Sequence, residues 1–337
     1  MTLSDPRPNA LFILDAEFLP LIYAREERGE LKRLARFYAP PQTRKSIAEN
    51  RALLADAEII FSGWGAPLLD EDFLNAAPKL RAIFYGSGST NQITTDAFWQ
   101  RDILLTSAYA ANARPVAEYA LGAILLSLKD FWRFQAKAKM GLGWGSPARH
   151  LTGGYRSIVA LIGCGMVARR LIELLAPLDI RCIVYDPFLT QTAADQLGVE
   201  LCTLDEAFAN GDVVSLHAPD KPETYGMIAG HHFLRMKRDA AFINTARGRT
   251  VREAEMIAAL ERRPDIVAIL DVCDPEPPAG GSPLFTMPNV MLTPHIAGSV
   301  GPECQRLGRY MVDEFRRYLR GDPLQWQITR ELAAKVA

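Results

Sequence analysis

The sequence predicts an α/β protein built on parallel sheets, and three observations carry that expectation. Short β-rich runs alternate with helical patterns along most of the chain, which is how parallel sheets covered on both faces read. A chain of 337 residues is too long for one ordinary core and suits two domains of roughly 100 to 200 residues each. A glycine turn between a β-branched strand and an amphipathic helix, in VALIGCGMVARRLIELL, opens the second of these as a doubly wound sheet of the Rossmann type.

In the first unit the runs NALFIL, AEIIFS and RAIFYGSG read as strands. Between them lie a charged helical stretch ending at Tyr38 and a helix near Asp70 to Ala77. The segment AREERGELKRLARF reads as a solvated helix face. Around Asn112 to Pro115 the pattern changes, because Pro115 suits the first turn of a long helix, VAEYALGAILLSLKDFWRFQAKAKM. The stretch GLGWGSPARHLTGG then breaks it.

The second unit starts near Ile158 and runs through IVALIG, RCIVYD, DVVSLHAP, AAFINTA, IVAILDV and NVMLTPH, five or six strands with helices between them. One of those helices is expected around His231 to Met236. The final helix, ECQRLGRYMVDEFRRYLRG, is expected to cross back, so that residues 1–111 and 300–337 form one domain around an inserted 112–299.

With 49% hydrophobic residues, 23% charged residues and a net charge of -1, nothing calls for nucleic acid or an acidic membrane as partner. The start MTLSDPRPNALFILD lacks the basic flank and length of a secretory signal, and the apolar run from Val116 to Leu128 is interrupted by Glu118. A cytoplasmic address is the expectation. The 5 cysteines form no C-x-x-C pair and read as reduced, small buried hydrophobes. His231 and His232 are adjacent rather than one helical turn apart, so no metal is expected.

Gly163, Gly165 and Ala168 give G-x-G-x-x-A. The first glycine allows the tight turn, the second lets a pyrophosphate approach the backbone, and Ala168 lets helix and strand pack closely. Phosphates then face the helix N-terminus. Asp186, closing the next strand in CIVYDP about twenty residues on, can accept hydrogen bonds from ribose hydroxyls. Its charge repels a 2'-phosphate, and no Arg or Lys follows it in YDPFLT, which favours NAD over NADP.

Hydride transfer to a keto acid needs a group for the carboxylate, an acid/base for the hydroxyl proton, and a partner for that base. Arg247 in INTARGR suits the first task through its planar fork. His295 in LTPHIAGS suits the second, and Glu276 in LDVCDPEP the third, because a carboxylate beside an imidazole favours the imidazolium. Each follows a strand of one α/β sheet, where ligands bind.

From about Leu80 to Glu303 the chain resembles the D-isomer-specific 2-hydroxyacid dehydrogenase family in its glycine turn, VVSLHAP, MKRDAAFINTARG, LDV followed by a Glu, and TPHIAG. The resemblance implies a substrate domain folded like flavodoxin, dimerisation through the cofactor domain, and hydride transfer in a cleft that closes on the substrate. It makes Arg247 the substrate-binding arginine, His295 the acid/base and Glu276 its partner. It lines the cofactor path with Gly163, Gly165, Met166, Val167, Asp186, His217, Ala218, Pro219, Thr245, Ala246, Arg247, Asp271, His295 and Gly298, with Asp271 meeting the nicotinamide amide.

YGSGSTN at 85–91 resembles the family's glycine loop, whose N–H groups hold the substrate carboxylate, so Ser87 and Gly88 are expected contacts. The chain departs from the family pattern at Thr90 and at Arg252, each where Asp is common, and the latter removes a helix cap at a cost of about 1 kcal/mol. Arg114 replaces a small residue; it either helps bind a longer or second-anion substrate, such as a sugar acid, or forms a surface ion pair. Trp64 is either a pocket wall or ordinary packing.

The expected function is an NAD-dependent oxidoreductase acting at C2 of a D-2-hydroxy or 2-keto acid, of the glyoxylate, hydroxypyruvate or sugar-acid type. Two alternatives stand beside it. One is an NAD(H)-sensing corepressor-like protein, which the Gly298–Ser299 pair after His295, in place of a tryptophan, argues against. The other is a phosphoglycerate dehydrogenase-type enzyme.

Overall fold

The computed structural model describes residues 6–144 and 152–333. The first five residues, read above for a leader, and residues 145–151 of the Gly/Pro-rich break lie outside the described residues. The chain divides into two compact units, Met1–Asn112 with Ser299–Ala337, and Ala113–Gly298.

The first unit is a parallel sheet of β1 (Asn9–Ile13), β2 (Arg36–Phe37), β3 (Ile59–Ser62), β4 (Ala82–Tyr85) and β5 (Leu104–Ser107), in the order β2-β1-β3-β4-β5. This is the doubly wound order of flavodoxin-like sheets. Both faces are covered, so the strands are apolar throughout rather than alternating. Leu11, Ile13, Ile60 and Ile83 face one core, and Ala10, Phe12, Phe61 and Phe84 the other. Helix Cys304–Arg320 closes the second core with Leu307, Met311 and Phe315, and the Phe315 ring stands edge-on to Phe61 at 5.1 Å and Phe84 at 5.2 Å.

Helix Arg25–Leu34 is not the solvated face expected from its charges. Glu27 and Glu30 are buried in it beside Leu31. Glu30 is tolerated inside because Arg309 reaches it at 3.0 Å and Arg316 at 2.6 Å, which neutralises a carboxylate that burial alone would penalise.

The second unit is a parallel sheet of β6 (Ser157–Ile162), β7 (Ile180–Tyr185), β8 (Glu200–Leu201), β9 (Val213–Leu216), β10 (Ala241–Asn244), β11 (Val267–Leu270) and β12 (Val290–Leu292). Its order, β12-β11-β10-β9-β6-β7-β8, reverses direction between β6 and β9, the switch point at which such sheets bind ligands. The sheet is one strand longer than the sequence reading, the extra one being the two-residue β8.

The long helix also differs from expectation. It runs Tyr109–Leu128 with Pro115 inside it, and a second helix, Phe131–Lys139, follows after Asp130 turns left-handed at φ 51°. Ser107 Oγ accepts the Tyr109 N–H at 3.2 Å, which supplies the start signal six residues before Pro115. Where the chain leaves and re-enters the first unit, Asn112 Oδ1 accepts the Ser299 N–H at 2.9 Å.

Candidate active site

The nucleotide turn is built as the glycine spacing requires. Gly163 has φ 92°, and a Cβ there would lie 2.8 Å from the His217 carbonyl oxygen, so the turn packs directly on the backbone after β9. Gly165 precedes helix Met166–Leu175, whose first turn no side chain caps, and open space lies over it. Ala168 is fully buried under the helix. Asp186 Oδ2 accepts the Cys164 N–H at 2.7 Å and Oδ1 the Phe188 N–H at 2.8 Å. Each carboxylate oxygen keeps a second lone pair, enough for ribose hydroxyls.

Two further features fit a dinucleotide. Thr245 Oγ1, after β10, is buried without a hydrogen-bond partner, which is costly unless a ligand supplies one. His217 binds Ser215 Oγ through Nε2 at 2.9 Å, and burial of its ring pushes its pKa down to about 4, so the imidazole is neutral near pH 7. The residues present therefore suit NAD, with Asp186 toward the ribose and the Gly165 turn toward the phosphates.

The three candidate catalytic side chains follow neighbouring strands: Arg247 after β10, Glu276 after β11 and His295 after β12. Arg247 donates Nη1 to the Ala246 carbonyl oxygen at 2.7 Å, and among the described residues no carboxylate pairs with it. Its guanidinium remains open to an anion. Gly248 lies flat on the next loop, where a Cβ would come within 2.0 Å of the Cys273 carbonyl, so the Arg247 and Glu276 loops touch. Glu276 Oε1 meets His295 Nδ1 at 2.7 Å, leaving Nε2 as the ring's outward nitrogen.

His295 has φ 54°, an unusual conformation for a non-glycine residue. Buried Asp271 holds it there. Its carbonyl oxygen accepts the His295 N–H at 3.0 Å, while its carboxylate accepts Ile296 N–H at 2.8 Å, Ala297 N–H at 2.8 Å and Thr293 Oγ1 at 2.6 Å. Tyr119 Oη in turn meets Thr293 Oγ1 at 3.0 Å. Asp271 thus faces the histidine loop with both oxygens engaged. Thr293, Tyr119 and Gly248 went unremarked in the sequence, although TPH and ARG both contain the signal.

In the first unit, the loop after β4 is held by Ser107, whose Oγ donates to the Ser87 carbonyl oxygen at 2.8 Å. The expectation of two free donors narrows to one: the Ser87 N–H already donates to the Tyr85 carbonyl oxygen at 2.8 Å, while the Gly88 N–H has no partner among the described residues. Trp64 stands edge-on to Phe18 at 5.1 Å, and both lie at the rim of the phenylalanine-rich core. In the second unit Arg114 pairs with Glu118 one helical turn away at 2.9 Å, which removes the free cation that a second-anion role needs. Arg252 heads helix Glu253–Arg262 without a side-chain cap, as the departure from the family pattern predicts.

Among the described residues, Asp205, His231 and His232 bring potential metal-ligand atoms within 4.8 Å of one another. His232 Nδ1 accepts the Ala229 N–H at 3.0 Å, so the neutral ring carries its proton on Nε2, the atom that faces Asp205 at 3.8 Å. That nitrogen then has no lone pair for an ion, and Arg235 already neutralises Asp205 at 2.6 Å.

A family model described as D-isomer specific 2-hydroxyacid dehydrogenase, NAD binding domain, matches residues 121–297. The chain is 30% identical over 263 residues to D-3-phosphoglycerate dehydrogenase of Archaeoglobus fulgidus, covering 76% of this chain and 49% of that one. It therefore spans about half the length of that relative. It is 27% identical over 300 residues to glyoxylate reductase of Korarchaeum cryptofilum, covering 88% of this chain and 89% of that one. The crystal structure of a phosphoglycerate oxidoreductase from Rhizobium etli superposes with a TM-score of 0.80 at 23% identity, over 96% of this chain and 99% of that one, which shows the shared fold. Sheet order, nucleotide turn and the match over 121–297 lead to one conclusion: the chain belongs to the D-isomer specific 2-hydroxyacid dehydrogenase family and carries its NAD-binding domain.

Proposed function

We propose that this chain is an NAD-dependent oxidoreductase interconverting a D-2-hydroxy acid and its 2-keto acid. The observation that carries the reading is the 2.7 Å pair of His295 Nδ1 and Glu276, one loop away from an arginine with no carboxylate partner among the described residues. NADH, when bound, supplies the hydride. Arg247 grips the substrate carboxylate through its fork. His295 donates a proton from Nε2 to the C2 oxygen during reduction and takes it back in the reverse direction, while Glu276 stabilises the charged ring and fixes its orientation. Asp271 acts on the position of His295. The Asp186 carboxylate supports NAD over NADP, because a 2'-phosphate beside it would be repelled.

The same reading includes a cytoplasmic location, supported by five free cysteines, and a homodimer through the second unit. Phe131, Met140, Leu142 and Trp144 are exposed on that unit and suit a partner's apolar surface.

Absorbance at 340 nm with NADH and a panel of 2-keto acids, from glyoxylate and pyruvate to hydroxypyruvate and 2-keto sugar acids, tests the activity. Turnover that disappears in His295→Ala while NADH still binds is the expected result. Full activity in that variant rejects the assignment.

A further inference from the structure

The histidine loop hangs from a weak strand of the second sheet. β12 has 3 residues and lies at the edge, bonded to β11 alone. The loop that leaves it holds His295 in a left-handed conformation. So short a strand, with one neighbour, supplies few backbone bonds to fix a strained loop. The long helix Tyr109–Leu128 is seated firmly by comparison: Ala117, Ala120 and Ile124 are fully buried in one core with Val159, Leu161 and Ile243 of the sheet.

Tyr119, on that helix, reaches the loop. Thr293 Oγ1 lies 2.6 Å from Asp271 Oδ1 and 3.0 Å from Tyr119 Oη. A hydroxyl has one hydrogen and a carboxylate only accepts, so Thr293 gives its hydrogen to Asp271 and receives the phenol's. The direction of the chain is thereby fixed, with Tyr119 donating to Thr293 and Thr293 to Asp271. Burial raises the pKa of Tyr119 above the ordinary phenol value and the Asp271 charge adds to it, so the phenol remains a donor at neutral pH. Hydrogen bonds in line polarise one another, so the bond from Tyr119 strengthens the one from Thr293 to Asp271. Asp271 in turn takes the Ile296 and Ala297 N–H groups, the two that follow the histidine. Every member of this chain lies in the second unit.

We propose, on top of the oxidoreductase reading, that Tyr119 is a positioning residue: through Thr293 and Asp271 it fixes the loop that carries His295, and so keeps Nε2 in place for proton transfer. It acts only through these residues and transfers no proton itself. The helix supplies the rigid anchor that the edge strand lacks.

Two readouts on the intact chain test this. The first is kcat at saturating NADH and 2-keto acid. Tyr119→Phe, which removes only the phenolic oxygen and its hydrogen, should lower it by roughly 3- to 10-fold, the worth of one hydrogen bond. Thr293→Val should lower it by roughly 10- to 100-fold, because a buried carboxylate loses a donor, and Thr293→Ser should recover most of that loss. Adding Tyr119→Phe to Thr293→Val should cost little more. The second readout, amide hydrogen exchange, needs no turnover. In Tyr119→Phe exchange should quicken by a similar factor at residues 295–297, while β6 keeps its rate. An unchanged kcat, losses that add in the double variant, or exchange that is unaltered or rises across the whole unit overturns the positioning role and leaves the reductase reading intact. If the unmodified chain reduces no 2-keto acid, that reading fails by itself, and exchange at 295–297 still decides whether Tyr119 fixes the loop.

Discussion

Asp271 and His295 are joined twice, once by the backbone bond of 3.0 Å and once through the carboxylate that collects the two N–H groups following the histidine. A loop held by four hydrogen bonds to one buried residue keeps an imidazole in a left-handed conformation that would otherwise cost on the order of 1 kcal/mol or more. In Asp271→Asn an amide donor must face existing donors, so the histidine shifts. The expected result is a fall in kcat of roughly 100-fold with NADH affinity little changed. An unaltered kcat, measured at saturating NADH and substrate, removes the positioning role.

Glu276 and His295 should act as a unit. Glu276→Gln is expected to lower kcat by about 10- to 100-fold, and the double variant with His295→Ala should be no slower than His295→Ala alone. Additive losses in that cycle would mean that Glu276 works through something other than the ring it touches.

Asp186 performs two tasks, holding the Cys164 and Phe188 N–H groups and presenting charge. Asp186→Asn removes the charge but keeps only one acceptor oxygen, so one of the two N–H groups loses its partner. The ratio of kcat/KM for NADPH to that for NADH should then rise by roughly 10-fold or more, as relief of a close like-charge contact predicts. A ratio that does not move would place the cofactor preference elsewhere.

His217 gives the fold an acid sensitivity. Burial lowers its pKa to about 4 against 6.5 in an unfolded chain, so the unfolded state binds the extra proton first as pH falls through that window. Its contribution to stability is complete above pH ~6.5 and declines toward pH ~4, a loss of about 2 kcal/mol between pH 7 and pH 5. Urea midpoints at those two pH values should converge in His217→Asn. The same slope in both proteins would assign the acid lability to other groups.

Much of this architecture could be read before any coordinate. The strands β1, β3 and β4 and six of the seven in the second sheet are β-branched or aromatic runs that only a covered sheet explains. β2 and β8 escaped because two residues, Arg36–Phe37 and Glu200–Leu201, form no pattern, and β5 because Thr106 and Ser107 give it a loop's polarity. Pro115 misplaced the long helix: a proline usually marks a first turn, whereas here the helix continues through it from a serine-capped start. Arg247, Glu276 and His295 were visible as residue types after strands. What the sequence left out were the groups that aim them, since Thr293, Tyr119 and Gly248 matter through loop-to-loop contacts that have no spacing rule. The buried Glu30 was misread for a similar reason, because its partners Arg309 and Arg316 lie almost three hundred residues away.

The hydrogen bond from Ser299 to Asn112 means that the second unit enters and leaves the first through adjacent doors. A contiguous segment with neighbouring ends can be excised without rethreading anything. Expressed alone, Ala113–Gly298 should fold cooperatively and bind NADH, and a short glycine linker from residue 112 to residue 299 should seal the remainder. Each unit is in this sense a module of its own, and the two can be exchanged between relatives at a single seam.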